Sequence, residues 1–264
     1  MITAKRWRLI ESGEGSGAWN MAVDEALLES FKEGDRPILR LYGWEPSLSL
    51  GRFSGADRSV DLESAEAEGI ACVRRISGGG ILVHGGDLSY SMILPRRLLK
   101  SRGVKESYRY LCGFLVNLYE KLGQKASFAQ ELQLESESSN ICLASNEPYD
   151  LLIGGRKMGG NAQRHTSGAF LQHGTIPITV DEARFATLFL EESGLSNAAT
   201  LERLGIEVGI DALSKLLKES FSESFGARLV SDTLSASEEQ RAGELLAKKY
   251  SQQRWNLHAE NIQT

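Results

Sequence analysis

Three consecutive glycines, Gly78 to Gly80, stand in RRISGGGILVHGGDLSYS beside Arg74, Arg75 and His84. An ordered glycine costs conformational entropy, so a run of three needs a reason. A plain turn between strands needs one or two. Three let a ligand lie against bare main chain, with amide N–H groups turned toward an anion or a carbonyl oxygen. A second stretch of the same character, GGRKMGGNAQRH, brackets Lys157 between Gly154–Gly155 and Gly159–Gly160, with Asn161 and Gln163 beyond. A lysine there is either the solvated tip of a hairpin or a cation aimed at a substrate. Further on, FLQHGTIPI alternates so that His173 and Thr175 share one side of a strand, opposite Phe170, Gln172 and Ile176.

Familiar reaction motifs fail on spacing. Val83 breaks the dinucleotide fingerprint, and the lysine of GGRKMGG is misplaced for a phosphate-binding P-loop. No nucleophile elbow of the G-x-S-x-G kind occurs. His84, His165, His173 and His258 have no zinc spacing, so no metal is expected. Of the three cysteines, Cys72 falls in the strand-like IACVRRI and Cys112 on an apolar helical stripe, and both read as core. Cys142 lies in a polar segment between an acidic loop and a turn at Asn146–Pro148, where residue type alone favours a half-buried thiol pinning the loop. Their odd number and wide separation argue against a disulfide framework and for a reducing cytoplasm.

The elements that must position these residues are legible in outline. Asn20 to Phe31 reads as a helix, with Val23, Leu27, Leu28 and Phe31 along one side. PILRLY, SLSLG, IACVRRI, YDLLIGG and FLQHGTIPI read as strands, and Leu62 to Glu68 as a short helix. Leu88, Tyr90, Met92 and Leu94 alternate with Ser89, Ser91 and Ile93 in a strand closed by Pro95. Tyr108 to Leu122 carries the clearest helical stripe, and Asp211 to Phe225 and Glu238 to Tyr250 are helices. Ser235 and Glu238 have capping-box spacing. Strands without regular βαβ alternation predict an α+β fold with a mixed or antiparallel sheet.

The 264 residues carry a net charge of −5, which argues against non-specific nucleic-acid binding. No apolar run approaches the roughly 20 residues that span a bilayer, and the N-terminus lacks the apolar stretch of a signal peptide, so neither membrane nor export is expected. Positive charge gathers locally in Arg96, Arg97, Lys100, Arg102, Lys105 and Arg109 against one acid, Glu106. That is either a solvated helix face or a docking patch for an acidic partner, beside the channel mouth if the strand from the glycines leads there.

In order, NMAVDEAL, RRISGGGILVH with LSYS, DLLIGGRKMGGNAQRH and FLQHGT resemble the biotin/lipoate protein ligase and transferase family, over roughly Asn20 to Ile178. The resemblance implies one catalytic domain over residues 1–264, related to class II aminoacyl-tRNA synthetases and biotin synthetases. The part after about residue 180 would be a mainly helical C-terminal extension. It implies that the Arg75–Gly80 loop (Arg75, Gly78, Gly79, Gly80) and His84 line an acyl channel. Gly159, Asn161 and His173 join the binding set, and Lys157 contacts the acyl carbonyl.

Within the family, ATP-dependent lipoate ligases differ from octanoyltransferases that use a cysteine thioester. Cys142, eight residues before Asp150 in CLASNEPYDLLIGGRK, resembles the nucleophile of the cysteine octanoyltransferases. HGGDLSYS is one residue shorter than the HDLGNLNFS-like run of typical ligases. Both favour the transferase. Gly80 and Ile81 depart from the transferase pattern RRPTGGRAVLH, and Asn161 stands where serine is usual. The implied reaction carries an octanoyl group from acyl carrier protein, through Cys142 with Lys157, to a lysine of a lipoyl-carrier domain. Such a domain is found in glycine cleavage H protein or the E2 component of a 2-oxoacid dehydrogenase. No cofactor is required; ATP and Mg2+ belong to the ligase alternative, and a carrier-to-carrier octanoyl amidotransferase would use the same cysteine. The turn-like setting of Lys157 predicts that Lys157→Ala melts close to wild type while transfer collapses.

Overall fold

The structure, a computed structural model, describes residues 5–99, 103–132, 148–191 and 193–262. Six strands form the main sheet in the order β10 (Asn161–His165), β11 (Ala169–Pro177), β6 (Asp87–Pro95), β2 (Ile38–Trp44), β1 (Arg6–Gly15) and β12 (Arg228–Asp232). Pairing is antiparallel from β10 to β2 and parallel from β2 through β1 to β12, giving the expected mixed sheet. A three-stranded sheet sets β3 (Ser47–Leu50) between β4 (Ala71–Arg74) and β5 (Ile81–His84). Another joins β7 (Ala126–Phe128), β8 (Leu151–Ile153) and β9 (Arg156–Lys157).

Strand β6 shows why the alternation was informative. Leu88, Tyr90, Met92 and Leu94 enter the larger core, whereas Ile93 enters a second core built on α1 (Gly17–Ser30). Ser89 and Ser91 share the Ile93 face and are buried with it. Helix α1, capped by the Ser16 hydroxyl, is buried at every position from Asn20 to Leu28, not along one stripe. It needs that burial because the main sheet, the β4–β3–β5 sheet and a C-terminal helix all pack on it.

Short helices α2 (Ala56–Ser59) and α3 (Leu62–Ala67) precede β4. The stripe from Tyr108 to Leu122 becomes two helices, α4 (Val104–Leu111) and α5 (Gly113–Lys121), divided at Cys112. After the short α6 (Glu182–Ala186), helix α7 (Ile210–Phe225) packs on α5, where Phe221 meets Phe114 and Trp7 edge-on. Helix α8 (Ala236–Leu245) starts at the expected capping box and widens into a π-turn over Leu246–Tyr250 before α9 (Gln253–Asn256). Residues beyond 180 are mainly helical, yet they also supply β12, which extends the main sheet beside β1. That strand escaped the periodicity reading because its five residues alternate weakly and none is fully buried.

Candidate active site

Both glycine stretches converge on one cleft, between the β4–β3–β5 sheet and the β10–β11 side of the main sheet. Its empty volume is about 390 Å³. Arg75, Gly78, Gly79, His84, Asn161 and His173 all line it. Leu82, His84 and Thr175 also border an adjoining hollow of about 940 Å³, whose wall includes Gly159.

The glycine loop is held from behind. The buried Arg75 guanidinium donates to the Ser49 carbonyl and hydroxyl, both at 2.6 Å, and to the carbonyls of Gly78 (3.2 Å) and Gly80 (2.9 Å). Gly51 and Arg52 bind the Gly80 and Ser77 carbonyls from the neighbouring turn. With those carbonyls turned inward, the amides of Gly78 and Gly79 have no bonding partner among the described residues. Gly79 has φ +96°, and a Cβ on Gly51 would strike its carbonyl oxygen. Arg74 secures the back of this wall to the C-terminus. Its guanidinium donates to the carbonyls of Gly51, Ser54, Trp255 and Leu257.

Two carboxylate–histidine–serine chains stand around the cleft. In one, Asp24 Oδ2 takes His173 Nδ1 at 3.0 Å, and His173 Nε2 meets Ser77 Oγ at 2.5 Å. In the other, Asp87 Oδ2 takes His84 Nδ1 at 3.0 Å, and His84 Nε2 meets Ser49 Oγ at 2.7 Å. A carboxylate at Nδ1 keeps a proton there, so in the neutral ring Nε2 accepts from the serine hydroxyl. Trp44 stacks on the His84 ring at 3.9 Å and donates through Nε1 to Ser89 Oγ.

Asp24 also accepts from Arg40 Nη1 (2.8 Å), Ser91 Oγ (2.8 Å) and Tyr42 OH (3.2 Å). Asn20, one turn before it on α1, accepts from Arg40 Nη2 at 2.8 Å. Burial alone would raise the Asp24 carboxyl, but the bond from His173 and the charge of Arg40 hold it below the ordinary carboxylate value. Burial is likewise overcome at Asp87 by the charge and bond of His84 and by donors from Thr175 and Gly85. Neither aspartate was given a place in the site from the sequence. The available signals were an acid one turn from a buried asparagine in NMAVDEAL, and an acid three residues beyond His84.

Lys157 is not a solvated tip. Gly154 and Gly155 make the turn with positive φ, and Lys157 on β9 points inward, 3% exposed, with Nζ 2.5 Å from Asp150 Oδ2. This overturns the expectation that Lys157→Ala melts like wild type. Breaking a buried ion pair costs on the order of 3–5 kcal/mol, which a thermal melt of that variant would register. Lys157 itself does not line the cleft; the turn through Gly159 carries the chain from it to Asn161. Cys142 lies outside the described residues. The other two thiols are held protonated by burial, Cys112 pushed up to about 12 and Cys72 to about 11. Among the described residues no group of three or more His, Cys, Asp or Glu is placed to hold a metal ion.

Arg96 and Arg97, which open the basic stretch, are not beside the cleft. Pro95 pairs with Ala169, whereas the cleft borders Ser89, His173 and Thr175, so Arg96 and Arg97 begin at the opposite end of β6. Arg96 binds the Thr166 carbonyl, Arg97 faces Glu33 and Arg109 pairs with Glu131. Lys100 and Arg102 lie outside the described residues.

The model of the lipoyl protein ligase A/B catalytic domain matches residues 16–231. The chain belongs to that family. Octanoyltransferase LipM of Kyrpidia tusciae is 38% identical over 95% of this chain and 98% of its own length. LipM of Bacillus subtilis is 32% identical over 95% and 97%. A solved lipoate-protein ligase A bound with ATP superposes with a TM-score of 0.83 at 30% identity, covering 98% of this chain and all of that one. The Thermoplasma acidophilum bipartite ligase, studied with its E2 lipoyl domain, gives 0.81 at 28% over 98% of each chain. Within the family the chain is an octanoyltransferase, an acyltransferase of protein lipoylation. Among the described residues no helix is long and apolar enough to cross a membrane.

Proposed function

We propose that the octanoyl group comes from acyl carrier protein, passes through a thioester on Cys142, and ends on a lysine of a lipoyl-carrier domain in the cytoplasm. Glycine cleavage H protein and 2-oxoacid dehydrogenase E2 domains carry such lysines. The observation that carries this reading is the state of the thiols. Cys112 and Cys72 are raised by burial to about 12 and about 11, the wrong direction for a nucleophile at neutral pH. Cys142 is the remaining thiol, and its setting before Asp150 and Lys157 resembles the nucleophile position of the cysteine octanoyltransferases.

The Cys142 thiolate attacks the donor carbonyl, a new C–S bond forms, and the carrier thiolate leaves and takes a proton. A neutral lysine amine then attacks the acyl-enzyme, the amide forms, and Cys142 departs as thiolate while the amine loses a proton. Nothing is oxidised, and thioester-to-amide transfer runs downhill without ATP or metal. The Lys157 ammonium favours the thiolate and the developing oxyanion. The cleft holds the octanoyl chain against Gly78 and Gly79.

Incubation with octanoyl-acyl carrier protein in the absence of ATP, followed by intact-protein mass spectrometry, tests this reading. One added octanoyl group is expected, absent in Cys142→Ser. An adduct that persists in Cys142→Ser, or modification of a lipoyl domain from free lipoate only when ATP is supplied, would contradict it. The second result would favour the ligase reading, which the likeness to an ATP-bound ligase supports.

A further inference from the structure

Four polar side chains on β10, β11 and β6 form a hydrogen-bonded chain that ends at the cleft, running in one direction. Gln163 Nε2 donates to Gln172 Oε1 at 2.8 Å. Gln172 Nε2 donates to the Tyr90 hydroxyl at 3.1 Å, and Tyr90 OH donates to Asn161 Oδ1 at 2.6 Å. Each donation fixes the next group. Gln172 presents its nitrogen to Tyr90 and, at 3.4 Å, to Cys112 Sγ, and Tyr90 donates its own proton to Asn161. The Asn161 amide is thereby oriented with its oxygen inward, leaving both Nδ2 protons unclaimed. Its seat is tight, since a Cβ on Gly174 would lie 2.2 Å from Asn161 Oδ1.

Many of the other polar groups around the cleft are committed elsewhere. Both ring nitrogens of His84 and His173 have partners, as do the hydroxyls of Ser49, Ser89 and Thr175 and the indole N–H of Trp44. Asn161 lines the same cleft, is half-buried, and its amide nitrogen has no bonding partner among the described residues. We infer that Asn161 is a catalytic residue whose Nδ2 hydrogen-bonds the acyl carbonyl, and that Tyr90 and Gln172 are positioning residues that hold it in that orientation. A chain of aligned donors polarises its last member, so the terminal N–H becomes a stronger donor for an oxygen gaining negative charge. Asn161 follows the Gly159–Gly160 turn leading from Lys157. The inference rests on the acyl-transfer reading for its substrate but not on Cys142 for its geometry.

The test therefore uses a ligand that needs no nucleophile. Octanamide labelled with 13C at the carbonyl is bound to the full-length protein, and its C=O stretch is read by isotope-edited infrared spectroscopy. A band below that of the same amide in an apolar solvent is expected in the wild type, moving back up in Asn161→Ala and part-way in Tyr90→Phe. Asn161→Ser, which retains a donor and suits a fold where serine is usual, should keep a lowered band and guards against misfolding of the alanine variant. In parallel, single-turnover acylation by a small octanoyl thioester should fall on the order of 100- to 1000-fold in Asn161→Ala, as for loss of one oxyanion donor. Asn161→Asp, an acceptor without the N–H, should fall at least as far. A carbonyl band at the same frequency in wild type and Asn161→Ala, or no octanamide bound by the wild type, would overturn the inference. Absence of an acyl-enzyme alongside a band that shifts only when Asn161 is present would sink the Cys142 reading and leave this one standing.

Discussion

The two carboxylate–histidine–serine chains have the same local geometry and different foundations. Asp24 is neutralised by a buried guanidinium, since Arg40 sits within 2.8 Å and both side chains are almost wholly inaccessible. Among the described residues Asp87 has no guanidinium partner; its charge is held by a serine, a threonine, a main-chain amide and the imidazole. Asp24 lies on α1 and ties that helix to β2, β6 and β11, whereas Asp87 starts β6 and ties it to β5 and β11. The difference separates two jobs. The Asp24 chain is the anchor on which the interior is assembled, and the Asp87 chain orients one wall of the cleft.

The largest expected effect follows from that division. Asp24→Asn leaves Arg40 buried without its counter-charge and should cost on the order of 3–5 kcal/mol in denaturant unfolding. Asp87→Asn removes hydrogen-bond quality but orphans no buried guanidinium, so a loss of about 1–3 kcal/mol is expected. Equal losses for the two variants would erase the distinction.

Acid sharpens the same comparison. Both carboxyls lie below their ordinary value of 3.8 in the folded protein, so each contributes stability that is fully present above that pH. As pH falls below 3.8 through the folded values, protons bind the unfolded chain first and that stability drains away. Each such group adds a slope of up to about 1.4 kcal/mol per pH unit, so unfolding followed below pH 3.8 should be less steep by one proton in Asp87→Asn. An unchanged slope would mean Asp87 is not held ionised. The smallest effect belongs outside the cleft. The exposed Lys121–Glu223 pair on α5 and α7 should contribute less than about 1 kcal/mol, so Lys121→Ala should melt close to wild type.

The contrast also marks where the sequence was readable. Strand β6 announced itself because Leu88, Tyr90, Met92 and Leu94 alternate with serines in adjacent positions, and so did the serine cap pairing with Glu238 on α8. His84 and Asp87 are three residues apart, close enough to be noticed together. The Asp24 chain was hidden because Arg40 lies 16 residues away and His173 lies 149 residues away, and only folding brings them together. Lys157 was ambiguous for another reason. Paired glycines on both sides look alike in a sequence, and only the backbone shows that Gly154 and Gly155 make the turn while Lys157 faces in. The position of Arg96 and Arg97 was not legible because a count of charges carries no direction along a strand.

The central claim is that the octanoyl group is carried covalently by this chain without nucleotide. Its most direct test is a chase. Enzyme loaded from octanoyl-acyl carrier protein is freed of donor and nucleotide, mixed with an apo lipoyl domain, and both proteins are weighed by mass spectrometry over time. One octanoyl mass should leave the enzyme and appear on the domain's lysine, mole for mole, at the same rate. Loaded enzyme that keeps its octanoyl group while the domain is modified only on addition of ATP and free octanoate would contradict the account.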